Sequence, residues 1–193
     1  IIPNHVYPDP GPGDGDRGYV IYAGRLAPPK GLETLIAAWD VGGLDIPLKI
    51  AGEGPLKHVV VQAAATNPNI EFLGEVTPEE TSALVGDAMF SNVPTVGIET
   101  FGRVAAESLA KGTPVIATAH GGLAEIVANG ETGILFPPGD VSALVSAVKT
   151  LAADPERLRA MRTAARQDFL RRYAGSRVLA RWVDLYREVG GKR

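Results

Sequence analysis

The chain has 193 residues, 45% apolar and 21% charged, with no cysteine, so it can bury roughly 70% of its unfolded surface without a disulfide or metal staple. Its formal net charge of −3 lacks the basic footprint of nucleic-acid binding, and the missing cysteines exclude a thiolate nucleophile. No apolar run approaches the ~20 residues of a membrane span. The N-terminal Ile1-Ile2-Pro3-Asn4 has neither a basic region nor a long apolar core, so it does not read as a signal peptide, and the expected location is the cytoplasm. The start, without Met, reads as a segment of a longer protein, though processing would leave the same start.

In chain order, residues 1–18 read as an entry segment and a flexible linker, because Pro8 to Gly18 is almost all Pro, Gly and Asp and cannot bury a core. A regular pattern then fills 19–193. Tyr19–Ala23 is a short β-rich run, and Leu32–Trp39 reads as a helix. Leu48–Ala51 is a second strand, followed by a helix over Leu56–Ala65. Ile70–Leu73 is a third strand. Thr77, Pro78 and Glu80 form a capping-box signal that opens the next helix. Ala88–Ser91 is predicted as the fourth strand, Val104–Ala110 as a helix, Pro114–Ala117 as the fifth strand and Gly133–Phe136 as the sixth. From Val141 onward the pattern is helical, divided near Asp154-Pro155 and Ala174-Gly175-Ser176 into about three helices.

Strands alternating with helices imply right-handed βαβ crossovers and a parallel sheet covered on both faces. The fold class is therefore α/β, a Rossmann-like doubly wound parallel sheet of about six strands with additional C-terminal helices. Ligands of such sheets bind at the carboxyl ends of the strands. There the sequence places Gly24-Arg25-Leu26 with Lys30-Gly31, Gly52-Glu53-Gly54-Pro55, Gly74, the segment Pro94 to Gly102, and His120-Gly121-Gly122. Glycines admit close backbone approach, helix N-termini present free N–H groups to anions, and Arg25 and Lys30 add full positive charge. A phosphate or diphosphate satisfies these groups together. Ordinary turns with surface cations remain the competing reading for either cation alone.

Other chemistries lack their signatures. There is no G-x-G-x-x-G opening a helix after the first strand and no G-x-x-x-x-G-K-S/T, which removes the main support for a nicotinamide dehydrogenase or a P-loop NTPase. His5, His58 and His120 have no metal-ligand spacing. Asp14-Gly15-Asp16 resembles a carboxylate pair for a metal but precedes the first strand, at the wrong edge of the sheet. No metal and no cofactor are expected.

From Gly97 to Ala117 the sequence becomes specific. Glu99-Thr100-Phe101-Gly102-Arg103-Val104-Ala105-Ala106-Glu107 and the following Ser108 to Ile116 closely resemble the E-x7-E signature of family-4 retaining glycosyltransferases. Gly24-Arg25-Leu26 with Lys30-Gly31 looks like that family's G-R-L-x-x-x-K-G element, Gly52 to Pro55 like its G-x-G-P turn, and Ile70 to Gly74 like its third-strand element. Gly121 to Val127 and Gly130 to Gly133 resemble its late loops. The resemblance runs from about Ile1 to Tyr186.

It implies one half of a GT-B fold, the half that binds a UDP- or GDP-sugar donor. By that resemblance Arg25 and Lys30 would hold the diphosphate and Glu99 would touch the donor sugar's hydroxyls. Backbone N–H groups of Phe101, Gly102, Arg103 and Val104 would meet the sugar or β-phosphate, and Glu107 would bind the ribose. Gly24, Gly52, Glu53, Gly54 and the backbone near Glu75-Val76 would line the nucleotide. Elementary chemistry agrees in part: carboxylates pair with vicinal hydroxyls, and the spacing leaves Glu99 in a loop while Glu107 sits about two turns into the helix.

Two positions depart from the family pattern. Ala106-Glu107-Ser108 replaces the commoner Leu-Glu-Ala, a packing change, and His5 follows Pro3-Asn4 where Gly is usual. The resemblance further implies a partner, an N-terminal acceptor-binding domain of the same protein, through which alone any peripheral membrane association would run. Trp182, Val183, Tyr186 and Val189 share helical spacing and are candidates for a face toward that domain; packing on their own domain is the other option. Because fold does not fix function, a non-catalytic nucleotide- or phosphate-sensing module stays open as a second function, and a related phosphorylase or epimerase as a third.

Overall fold

The computed structural model describes residues 3–15 and 17–190. Its strands are β1 (Val20–Ala23), β2 (Leu48–Ala51), β3 (Ile70–Gly74), β4 (Phe90–Val93), β5 (Val115–Thr118) and β6 (Gly133–Phe136). They form a single parallel sheet in the order β3-β2-β1-β4-β5-β6. The order reverses between β1 and β4, so the connections leaving these neighbours run to opposite sides and a crevice opens beyond their carboxyl ends.

The helices are α1 (Leu32–Val41), α2 (Lys57–Thr66), α3 (Pro78–Asp87), α4 (Arg103–Ala110), α5 (Gly121–Ile126), α6 (Val141–Ala152), α7 (Pro155–Arg172) and α8 (Gly175–Gly190), with a 3-10 turn at Pro28–Lys30. Alternating strand side chains divide the core between the sheet's two faces. Val20 and Tyr22 join Leu32, Leu35 and Trp39 of α1 and Leu144 and Val148 of α6. Ile21 and Ala23 pack with Val85 of α3, and Val115 and Ala117 with Leu109 of α4 and Phe169 of α7. Leu35 is fully buried; truncating such a leucine to alanine costs about 2–5 kcal/mol.

The capping box at α3 forms as its residues predict. Thr77 Oγ1 accepts from the Glu80 amide at 3.1 Å, and the Glu80 carboxylate accepts from the Thr77 amide at 2.8 Å. That second bond holds the Glu80 carboxyl below its usual range.

Two sequence expectations are revised, and one element escaped the sequence reading. The fourth strand lies two residues later than Ala88–Ser91. Ala88 instead ends α3, its N–H bonded to Leu84 and Val85 carbonyls, and polar Ser91 and Asn92 are buried inside the strand. Ser91 is accommodated by a 2.8 Å bond to Ser108 Oγ on α4. The short helix α5 was not anticipated. The stretch read as a flexible linker is strapped across the amino edge of the sheet. Gly13 N–H donates to Lys111 O at 2.9 Å and Arg17 N–H to Asp87 O at 3.0 Å. Arg166 grips both Asp9 carboxylate oxygens at 2.8 and 2.7 Å, and Arg162 donates to the carbonyls of Gly13, Gly86 and Ala88. Backbone polar groups, not apolar side chains, hold this strap. Asp14 is exposed, and Asp16 lies outside the described residues.

Helix α8 keeps one apolar face uncovered. Only Gly175 and Val178 are buried, while Leu179, Trp182, Val183, Leu185, Tyr186 and Val189 are exposed, Tyr186 by 70%. Among the described residues no helix is long and apolar enough to cross a membrane.

Candidate functional site

The loop leaving β1 carries Gly24, Arg25 and Leu26 into the 3-10 turn that ends at Lys30. Tyr22 Oη donates to Arg25 O at 2.9 Å. Burial holds the Tyr22 phenol above its ordinary range, so it stays a donor there. This fixes the backbone of Arg25 and leaves its side chain exposed, with no ion-pair partner among the described residues.

The loop after β2 is pressed onto it. Leu26 N–H donates to Glu53 O at 2.8 Å and Leu56 N–H to Leu26 O at 2.9 Å. A Cβ on Gly52 would lie 1.9 Å from Gly24 O, and one on Gly54 2.3 Å from Leu26 O, so only glycine allows this approach. Glu53 itself faces Lys57, its carboxylate 2.6 Å from Nζ. Val76, after β3, is half-buried against the Val85 cluster.

The loop after β4 brings the decisive contact. Lys30 Nζ lies 2.6 Å from Glu99 Oε2, a pair of residues 69 positions apart in sequence. It spans the crevice between β1 and β4, with side chains 36% and 22% exposed. Beside it Gly102, at φ 84°, is the N-cap of α4 and supplies no capping side chain. No acidic residue occupies the first turn of α4. The start of α4 thus carries uncapped amides and the positive end of its dipole. Phe101 turns its ring edge-on to Tyr173 at 6.0 Å, and its main chain lies against Gly122, where a Cβ would come within 2.7 Å of Phe101 O.

Glu107 is not in contact with Lys30 or Glu99. Its carboxylate meets Arg103 Nε at 2.6 Å on the same helix, with Arg103 82% exposed. Of the predicted residues the structure therefore brings Lys30 and Glu99 together and Arg103 and Glu107 together, and interlocks Gly24, Gly52 and Gly54. It leaves Arg25 exposed, with no ion-pair partner among the described residues. Among the described residues no three His, Asp or Glu side chains converge as a metal cluster would. One contact the sequence did not reveal is His120 Nε2 to Gly97 O at 2.6 Å; its only trace was a polar residue closely following a buried apolar strand.

The profile of the family "Glycosyl transferases group 1" matches residues 8–168. The chain belongs to the group 1 glycosyltransferases. As such it is similar to the phosphatidyl-myo-inositol mannosyltransferase of Mycobacterium leprae, with 33% identity over 176 residues, 88% of this chain and 46% of that protein. It is also 36% identical to a glycogen synthase of Mycobacterium tuberculosis over 77% of the chain and 37% of that protein. Among solved structures, sucrose-phosphate synthase from Thermosynechococcus elongatus superposes with a TM-score of 0.80 at 30% identity, over 96% of this chain and 47% of the other. The Anabaena protein HepE, solved with UDP, shares the fold with a TM-score of 0.78 at 22% identity, over 89% and 49%. The chain spans less than half the length of each of these relatives. It is an α/β, Rossmann-like glycosyltransferase domain and corresponds to the C-terminal domain of the GT-B fold.

Proposed function

We propose that this glycosyltransferase domain is the donor-binding half of a retaining hexosyltransferase, taking a nucleoside diphosphate sugar of the UDP or GDP type. The observation that carries the reading is the Lys30–Glu99 pair at the β1/β4 crevice, beside the uncapped start of α4. A diphosphate meets Lys30, Arg25 and the α4 amides, and the sugar hydroxyls meet Glu99. Glu107 takes the ribose hydroxyls once it turns from Arg103. The loops at Gly24, Gly52 to Gly54 and Val76 border the nucleoside.

Transfer forms a bond from the acceptor oxygen to the anomeric carbon and breaks the bond from that carbon to the β-phosphate oxygen. The acceptor's proton passes to the departing diphosphate on the same face, which retains configuration. The domain's part is to fix the donor and stabilise charge growing on the leaving group, in a site that needs no metal because Arg25, Lys30 and the helix terminus supply positive charge. The acceptor comes from an N-terminal partner domain, which the uncovered face of α8 fits. Relatives named for mannosyl transfer to a lipid and for glycogen synthesis differ in sugar and acceptor, so the similarity favours the reaction class and leaves the substrate open.

Titration calorimetry of UDP, GDP and ADP and their glucose and mannose conjugates against the chain, with and without EDTA, tests this. Binding of one nucleoside diphosphate that survives EDTA is expected, with no sugar transfer until the acceptor domain is present. Binding lost in EDTA overturns the metal-free site, no binding overturns the donor role, and binding without transfer by the full-length protein favours a sensing module.

A further inference from the structure

From the carboxyl ends of β4 and β5 onward the two segments stay joined by three hydrogen bonds at alternate residues. Thr118 Oγ1 donates to Thr95 O at 2.7 Å, His120 Nε2 to Gly97 O at 2.6 Å, and Gly122 N–H to Glu99 O at 2.7 Å. The strand pairing of Val93 with Ala117 is thereby prolonged into the crevice. From the other side, Pro29 O accepts from the amides of Val96 at 2.9 Å and Gly97 at 3.0 Å. Pro29 immediately precedes Lys30. The peptide at Gly97 is thus gripped between the segment that carries Lys30 and the imidazole of His120.

This grip matters because little else anchors the segment. Pro94 and Thr95 are buried, but Val96 is 43% and Ile98 90% exposed. No apolar burial fixes residues 96–99, so hydrogen bonds do. A carbonyl only accepts, hence His120 carries its proton on Nε2 toward Gly97. Its Nδ1 is buried and has no hydrogen-bond partner among the described residues. The ring's polar tie is directed entirely at the Gly97 carbonyl.

We propose that His120 is a positioning residue of the donor site: it holds the Gly97 peptide against Pro29 and so sets Glu99 and Lys30 face to face. The inference rests on the donor-binding reading for its consequence and on the hydrogen bonds alone for its mechanism. His120 touches no substrate atom in this scheme. It acts through the backbone, two residues from Glu99 and one peptide plane from the Lys30 segment. An N–H donor of the right reach suffices, and the imidazole's acid–base chemistry is not used.

The test compares His120→Ala, His120→Asn and His120→Gln in the 193-residue chain. Gln places an amide N–H where Nε2 stood, and the shorter Asn does not reach. UDP or GDP, whichever the wild-type chain binds, is titrated beside its free nucleoside. His120→Ala and His120→Asn are expected to weaken the diphosphate about 5- to 10-fold, the scale of one hydrogen bond, with nucleoside affinity unchanged. His120→Gln is expected within about 2- to 3-fold of wild type. Independently of any ligand, amide hydrogen exchange at Val96 and Gly97 is expected to speed about 10-fold in Ala and Asn and to return toward wild type in Gln. If the wild-type chain binds no nucleotide, the donor reading fails while the exchange rates still decide the mechanism. Unchanged exchange in His120→Asn, a Gln variant as impaired as Ala, or equal losses for nucleoside and diphosphate would each overturn the proposal.

Discussion

At the carboxyl edge of the sheet, Arg25 stands in solvent and Lys30 faces a carboxylate that is itself partly exposed. At the amino edge, Arg162 and Arg166 are engaged by backbone carbonyls and by Asp9, around a cavity of about 390 Å³ lined by Pro12, Gly13, Lys111, Arg162 and Arg166. By charge alone the amino edge is the better phosphate site. Its guanidinium groups, however, satisfy the last carbonyls of α4 and the end of α3, the negative ends of those dipoles. The carboxyl edge has exposed cations and an uncapped helix start. What a cation already touches decides its role more than how many cations are near.

Substitutions at glycines break this comparison most strongly. Gly31 has φ 72°, and a Cβ there would lie 1.8 Å from Pro94 O. Gly31→Ala is expected to cost about 3 kcal/mol or more, read as a lower urea midpoint, because strained backbone and a backbone clash add. At the other edge, a Cβ on Gly13 would lie 2.3 Å from Gly86 Cα. Gly13→Ala is expected to free the strap while leaving the sheet's core folded, seen as proteolysis confined to residues 8–18.

The next effect separates the edges by function. Lys30→Ala and Arg25→Ala are each expected to weaken nucleoside diphosphate binding by about 10- to 150-fold, the loss of one charge-assisted contact, with free nucleoside little changed. Arg162→Ala is expected to lower stability by about 1–3 kcal/mol through its orphaned carbonyls and to leave that binding intact. Equal nucleotide losses at both edges would erase the distinction.

Much of the scaffold was legible because burial leaves a local trace. The strands at Leu48–Ala51 and Gly133–Phe136 read correctly from their short apolar runs, and Thr77 with Glu80 marked the start of α3. The fourth strand was displaced because Ser91 and Asn92 are polar residues inside it, made tolerable for Ser91 by a partner on α4. Helix α5 opens with two glycines and runs six residues, too short for a period. The strap was unreadable because its partners are carbonyls and distant arginines. In the site, motif spacing placed Lys30 and Glu99 at one edge, but their direct pairing, Arg103 with Glu107, and the Gly97–His120 contact depend on the folded path of separate loops.

Asn92 sharpens the contrast inside the sheet itself. Both its side-chain amide atoms are buried without a hydrogen-bond partner among the described residues. Asn92→Val, apolar and suited to a strand, is expected to raise stability by about 1–2 kcal/mol. A loss in the denaturation midpoint would show that the amide is needed. Glu107→Gln should act more gently, weakening the ribonucleotide about 3- to 10-fold and the 2′-deoxy analogue less. Identical losses in the two titrations would remove Glu107 from the ribose.

The smallest effect concerns pH and the strap. The hydrogen bond from Arg166 holds the Asp9 carboxyl below its ordinary range. Its folded-state value is below the unfolded one, about 3.9. The contribution is therefore fully present above about pH 4 and is lost as pH falls through the lowered folded value. Asp9 is 39% exposed, so solvent screening keeps this under about 1 kcal/mol. Asp9→Asn should flatten that part of the stability-versus-pH curve and leave nucleotide affinity at neutral pH unchanged.

The loops of the carboxyl edge meet one another through main chain: Gly52 on Gly24, Gly31 on Pro94, Gly121 on Glu99. Between these contacts, Val96, Ile98 and Arg103 project into solvent and support no neighbouring core. Such an arrangement separates what lineages can vary from what they must keep. Exchange of the projecting side chains alters what the crevice meets without disturbing its geometry, so descendants of one frame can diversify their substrates by point substitution. A change at an interlocking glycine gives no new preference, only a broken frame.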